Sequence, residues 1–255
     1  MKTTIILLLL FSCRESSDKY ILYPDSTNYE YKLLNNGLLK VIRFFPNTKD
    51  TSNIYFFNKN KLRDSISYYF DIDGNLSSTV KYKNGNNIKL LTYFYKNGNI
   101  KNECKFYKDK FVVGDDKYYY KNGNLKAIKE YLLYKDSIQY LNNELYYDDS
   151  GDINKDSSFY FKLLTKKDTV SLNDSLRVGF NIIKPKHTRI FAFYGSIENY
   201  FGKKLPPESL VLKDTVFYFK PRKKGINLIE VVIVAGFEQN KYSKVFLKKK
   251  IFVTE

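Results

Sequence analysis

The stretch "YYYKNGNLKAIKEY", Tyr118 to Tyr131, decides how this chain is read. Nearly the same string stands upstream as "YFYKNGNIKNECKFY", Tyr93 to Tyr107. Each sets an aromatic cluster, a Lys-Asn-Gly-Asn turn and a Leu or Ile at fixed distance. Asn-Gly and Asp-Gly tolerate positive φ at little cost and favour tight hairpin turns. The flanking Tyr, Phe, Ile and Val suit a pleated surface. Further copies occur in "YYFDIDGNLS" and "LYYDDSGDIN", so the turn glycines Gly74, Gly98, Gly123 and Gly151 stand 24, 25 and 28 residues apart. Other turn clusters fall between them at Lys83-Asn84-Gly85-Asn86, Lys108-Asp109-Lys110 and Lys135-Asp136-Ser137. Each interval leaves about one strand.

The pattern extends upstream through Asn35-Asn36-Gly37, Pro46-Asn47 and Asn58-Lys59-Asn60. Residues 29–161 are therefore expected to form an antiparallel meander of hairpin repeats. Twenty of the 24 tyrosines lie between Tyr20 and Tyr160. Three in a row, Tyr118 to Tyr120, must point to both faces of a strand, which suits a sheet with no second layer. Tyrosine covers such a face with its ring and can leave its hydroxyl in water. The aromatic clusters thus read as the repeat's own core.

This region resembles the MORN-variant repeats of bacterial proteins labelled antitoxin-like, whose units run aromatic-aromatic-x-x-Asn-Gly-x-Leu. The resemblance covers about half the chain, is clearest at Tyr93 to Ile100 and Tyr118 to Leu125, and departs at Asn60, where glycine is expected. It implies a repetitive β-sheet. True MORN units are richer in glycine, so their lipid binding does not carry over, and the antitoxin label fits an exported chain poorly.

The beginning of the chain, "MKTTIILLLLFSC", has Lys2, an apolar run from Ile5 to Phe11, then Ser12 and Cys13. The run falls far short of the ~20 residues that span a bilayer, and a short apolar segment ending in a small residue is a secretory signal. Leu10-Phe11-Ser12-Cys13 resembles a bacterial lipobox. That resemblance implies a signal peptide over residues 1–12, acylation of Cys13, and a polar tether over residues 13–28. Composition and lipobox together resemble those of Bacteroidetes-type lipoproteins, which implies the cell envelope, with the outer membrane favoured. With Cys13 acylated, Cys104 has no disulfide partner. Alternation places its thiol beside Phe106 as a small buried hydrophobe.

After Phe161 the composition changes. "DTVSL", "SLRVGFNII", "RIFAFYG", "DTVFYFKP", "GINLIEVVIVAG" and "KVFLKKKIFV" are separate strand candidates, and Ile226 to Ala235 is nearly continuous apolar sequence. Such a run suits a strand buried in a sandwich. "FYFKPRKKGINLIEVVIV", Phe217 to Val234, resembles the strand, proline corner, glycine and long strand of immunoglobulin-like domains, without their disulfide or tryptophan. Residues 162–255 are thus expected to form an immunoglobulin-like β-sandwich. An open meander has edge strands at risk of aggregation, so this module is expected to pack on the last repeat strand and cap it.

The formal charge is +16, and 19 basic against 8 acidic residues follow Phe161. The densest run, "KPRKKG", makes Lys220, Arg222, Lys223 and Lys224 candidate anion-binding residues for a glycan or a lipid headgroup. At Lys248-Lys249-Lys250 the first and third share a strand face and the second takes the other. Export argues against nucleic acid as the anion. The one histidine, His187 in "KPKHTR", has no second ligand or cysteine beside it. "DDSGDINKD", Asp148 to Asp156, lacks the terminal Glu and flanking helices of a calcium loop. Asp71 and Asp73 have no partner across a cleft for glycoside hydrolysis.

No catalytic residue, metal ligand or cofactor is assigned. The expected role is a membrane-anchored, non-catalytic binding or scaffolding module with an envelope or surface protein as partner. The alternatives are an enzyme acting on envelope polysaccharide and an immunity-type protein.

Overall fold

The computed structural model describes residues 28–82, 88–186, 188–194, 216–236 and 242–255. The expected signal segment, Cys13, the expected tether up to residue 27, Gly85 and His187 lie outside them. The chain is all-β. Ten strands follow one another in sheet order: β1 (Tyr29–Leu33), β2 (Leu39–Phe44), β3 (Thr51–Phe57), β4 (Ile66–Phe70), β5 (Leu76–Lys81), β6 (Ile88–Phe94), β7 (Ile100–Tyr107), β8 (Phe111–Tyr119), β9 (Leu125–Tyr134) and β10 (Ile138–Tyr146). This is the expected antiparallel meander. By compactness the chain divides after Leu91, within β6, into one unit up to that residue and a second from Thr92 to Glu255.

The repeated turns have one geometry. In each, the first residue's N–H donates to the carbonyl four residues on, and the glycine N–H returns to the first residue's carbonyl. For Tyr120, Asn124 and Gly123 the distances are 2.8 and 3.0 Å; for Tyr95, Asn99 and Gly98 they are 2.8 and 2.9 Å. Gly98 and Gly123 have φ of 84° and 94°, while Asn97 and Asn122 do not enter the left-handed region. These are type I turns closed by a left-handed glycine, the longer hairpin class rather than the two-residue primed one. Positive φ at both central positions occurs instead in the glycine-free turns, at Lys108 and Asp109 and at Lys135 and Asp136.

The geometry also explains why the repeat preserves Tyr and Asn. The Tyr95 hydroxyl donates to the Tyr119 carbonyl at 2.8 Å, and the Tyr120 hydroxyl to the Tyr147 carbonyl at 2.9 Å. Asn97 and Asn99 both donate to the Lys121 carbonyl, and Asn124 donates to that of Asp149, each at 2.9 Å. The Gly98 and Gly123 turns thus each hold the turn one repeat further on. These phenol groups are bonded to the backbone and not left to water, which corrects the expectation for Tyr95 and Tyr120. In the first and last of the four turns an aspartate stands at the opening position. The carboxylates of Asp71 and Asp148 accept from backbone N–H groups two and four residues on.

Within the second unit the sheet membership changes after β10. The later strands are β11 (Tyr160–Thr165), β12 (Thr169–Ser171), β13 (Leu176–Ile183), β14 (Arg189–Tyr194), β15 (Val216–Phe219), β16 (Gly225–Gly236) and β17 (Tyr242–Thr254). They form two sheets, β11-β13-β15 and β12-β17-β16-β14, with β12 running parallel to β17. This is the strand order of an immunoglobulin-like sandwich, with β12 as a side strand crossing to the second sheet. Alternating residues from both sheets make its core, including Phe161, Val178, Ile229, Val231, Val245 and Ile251, all at most 1% exposed.

The last meander strand seals this sandwich. Near Lys244 and Phe246, β16 is the one described strand that pairs with β17. The Tyr140 hydroxyl donates to the Lys244 carbonyl and accepts from its N–H. Two residues on, the Asn142 amide accepts from Phe246 N–H at 2.7 Å and donates to its carbonyl at 3.0 Å. Asn143 treats Phe161 of β11 in the same way, at 3.0 and 3.2 Å. Glu144 and Phe159 then exchange backbone hydrogen bonds at 2.9 and 2.7 Å. Side chains from β10 therefore satisfy open edges of both sandwich sheets. A register shift between Leu141 and Asn143 makes this possible, because the bulge turns consecutive asparagines toward different sheets. Capping was expected of the sandwich acting on the meander; the side-chain hydrogen bonds run the other way.

Candidate functional site

The anion-binding candidates Lys220, Arg222, Lys223 and Lys224 form the exposed connection between β15 and β16. Lys224 pairs with Glu255. Gly225, at φ 87°, closes the connection and opens β16 opposite Val253. The basic run is thereby fixed at one end of the β16–β17 ladder.

That ladder carries the site's second part. Register sets Ile226 opposite Phe252, Leu228 opposite Lys250, and Glu230 opposite Lys248. Alternation puts these six on the outward face, because Ile229, Val231, Leu247 and Ile251 fill the core from the other face. Lys248 pairs with Glu230 at 2.8 Å, while Lys249 turns away and pairs with Asp168 at 2.8 Å. The Lys249 and Thr165 side chains hold the Asp168 carboxyl below its usual range. The surface is thus an apolar strip with basic residues at its edge and end. Sequence reasoning found the cations but read Ile226 and Leu228 as part of a buried run. No alternation within that run betrays which of its residues stay uncovered.

Three polar clusters in the meander went unrecognised. In the first unit, the Arg63 guanidinium lies 4.2 Å from the Tyr55 ring centroid and donates to the hydroxyls of Tyr69 and Tyr82 at 3.0 Å each. Burial, with the neighbouring Tyr82, pushes the Tyr69 phenol up to about 12, so it remains protonated. Cation–π contact and phenol acceptors take the place of a carboxylate for this half-buried charge. Nothing in the linear sequence pairs Arg63 with Tyr82.

In the second unit Asp116, 4% exposed, accepts from Asn102 and from the Tyr118 hydroxyl. Burial first, then the Asp116 carboxylate, raises the Tyr118 phenol. One strand over, Lys129 pairs with Glu144 at 3.4 Å, and Glu144 accepts from the Tyr146 hydroxyl at 2.8 Å. The oxygens of these carboxylates are already engaged by neighbouring donors. They hold the sheet together instead of presenting a free acid and base.

Cys104 lies in the same region, 3% exposed, where the β7–β8 register shifts. Burial, with Asp116 and Glu103 nearby, pushes its thiol up to about 12 from 9.0. The native thiolate fraction at pH 8 is then about a thousandfold below that of an ordinary cysteine. Native protein at pH 8 should accordingly resist iodoacetamide at Cys104 and become labelled there on unfolding in guanidinium. Mass spectrometry of the Cys104 peptide measures this, and rapid native labelling would contradict it.

The sandwich also has a cavity of about 750 Å³ near β12, lined by residues including Leu164, Lys166, Val170, Arg177 and Phe180. Among its lining residues Asp174 is the one carboxylate. Hydrolysis of a glycosidic bond by the common mechanisms needs two. No grouping of three or more metal-ligating side chains occurs among the described residues. Comparison with known proteins finds no family model and no curated protein that matches this chain.

Proposed function

We propose that this chain is a lipid-anchored, non-catalytic binding module of the cell envelope, with the repeat sheet recognising a partner protein. The observation that carries the reading is the exposure of large apolar side chains on the meander strands. Tyr93, Ile138 and Leu141 stay 43%, 51% and 38% exposed. Exposed rings and aliphatics on a backbone already satisfied by its own turns are suited to protein contact, because little ordering is needed on binding. Acylation at Cys13, by resemblance to the lipobox, would hold the module at a membrane.

The test is capture from native envelopes, washed with rising salt, by the full chain and by a Tyr93→Ala, Ile138→Ala variant. One protein retained through high salt by the parent and lost from the variant is the expected result. Recovery of lipid or glycan alone, released at modest salt, would overturn protein recognition.

A further inference from the structure

The outward face of β16 and β17 has two halves in different surroundings. Val232, Val234 and Phe246 are buried against Leu132 and Tyr140 of the meander. Further along the same strands, Ile226, Leu228 and Phe252 are 64%, 47% and 54% exposed. One half of a continuous face is thus an established interface, and its extension is bare. Adjacent exposed apolar residues of this kind mark an interaction surface.

Charge selects the occupant. The acidic residue on this half-face, Glu230, is neutralised by Lys248. Lys250 makes no ion pair among the described residues, and the exposed Lys220, Arg222 and Lys223 of the β15–β16 connection adjoin the apolar end. A second copy would bring like charges together on a chain already at +16. An anionic bilayer meets both demands. Apolar side chains enter the boundary below the headgroups, while lysine stems extend their ammonium groups to lipid phosphates.

We propose that Ile226, Leu228 and Phe252, edged by Lys250 and by the exposed cations of the β15–β16 connection, form a docking surface for an anionic lipid bilayer. This deepens the reading above and rests on it for proximity: the acyl anchor holds the chain at the membrane, and this surface sets the orientation of the sandwich.

The chain contains no tryptophan, so one introduced indole is a clean reporter. Full-length, acylated protein carrying Phe252→Trp is added to phosphatidylglycerol-rich or to pure phosphatidylcholine vesicles containing brominated acyl chains. Tyr218→Trp, at a 66% exposed position on the opposite sheet, is the control. The Phe252→Trp emission should move to the blue and be quenched on the anionic vesicles alone, the control staying unquenched on both. Adding Lys250→Glu should reduce that quenching several-fold.

Unquenched Phe252→Trp on vesicle-bound protein would overturn the docking surface and leave the anchor intact. Failure to bind vesicles at all would overturn the anchor as well. A concentration-dependent blue shift without lipid would assign the face to a second copy. A shift that requires an added envelope protein would assign it to a protein partner. Either result overturns the bilayer proposal.

Discussion

Replacing Asn142 by Asp should destabilise the second unit by about 3–5 kcal/mol, although side-chain shape is nearly unchanged. Asn142 is 3% exposed, and its amide serves three partners: the N–H and carbonyl of Phe246, and Glu130 Oε2 at 2.9 Å. The introduced carboxylate could still accept from Phe246 N–H. It could not donate to the carbonyl, and it would lie beside the Glu130 carboxylate. Asn142→Ala should cost less, about 2–4 kcal/mol, because two backbone groups lose a partner without a buried charge being added.

Acid separates the two variants. Burial beside Glu130 should raise the introduced carboxyl's folded pKa above its unfolded value of about 3.9. The charge penalty is then fully present above the folded pKa and disappears as pH falls through it toward the unfolded one. Relative to the parent, the Asn142→Asp variant should regain stability in acid and Asn142→Ala should not. For a unit of this size the neutral-pH loss corresponds to a fall in Tm of about 10 °C. Thermal unfolding followed by circular dichroism across pH measures both effects. Parent-like melting of Asn142→Asp at neutral pH would show that the clamp contributes nothing.

Phe161→Ala should lower stability by about 3–5 kcal/mol, the range for removing a buried aromatic from a close-packed core. Phe161 is 1% exposed among Val178, Ile229 and Ile251, and its ring meets Phe159 edge-on at 4.9 Å. Its backbone is also held by Asn143, so the substitution loosens the core and the β10 clamp together. Guanidinium unfolding should show a lower midpoint, and with it earlier exposure of Cys104 to iodoacetamide if β10 and the sandwich unfold as one. Phe252→Ala, at a 54% exposed position, should move the midpoint by no more than ~0.5 kcal/mol. Equal effects at the two positions would refute the assignment of Phe161 to the core and of Phe252 to the surface.

Much of the fold was legible because it is written in local chemistry. Gly98 and Gly123 announce turns, since a left-handed backbone position strongly favours glycine. The strands between them follow from turn spacing and aromatic content. The turn type was less legible, because Asn-Gly suits both a primed turn and a type I turn closed by glycine, and hydrogen bonding between neighbouring turns selects the latter. Lys220, Arg222, Lys223 and Lys224 could be found as a charge run. Their apolar companions could not, since Ile226 and Leu228 look the same in sequence as the buried Ile229 and Val231 beside them.

The sequence by itself determined an all-β chain, the repeat and its turns, and the change of composition after Phe161. These depend on φ preference and on contacts a few residues apart. Tertiary structure alone decided that Asn142 and Asn143 close the edges of two sheets, that Arg63 rests among tyrosines, and that half of the β16–β17 face is left bare. Asn142 meets Phe246 across 104 residues of chain. No local preference encodes such a pairing. It arises when unpaired backbone groups on a sheet edge must be satisfied, and the nearest amide able both to donate and to accept happens to come from another strand.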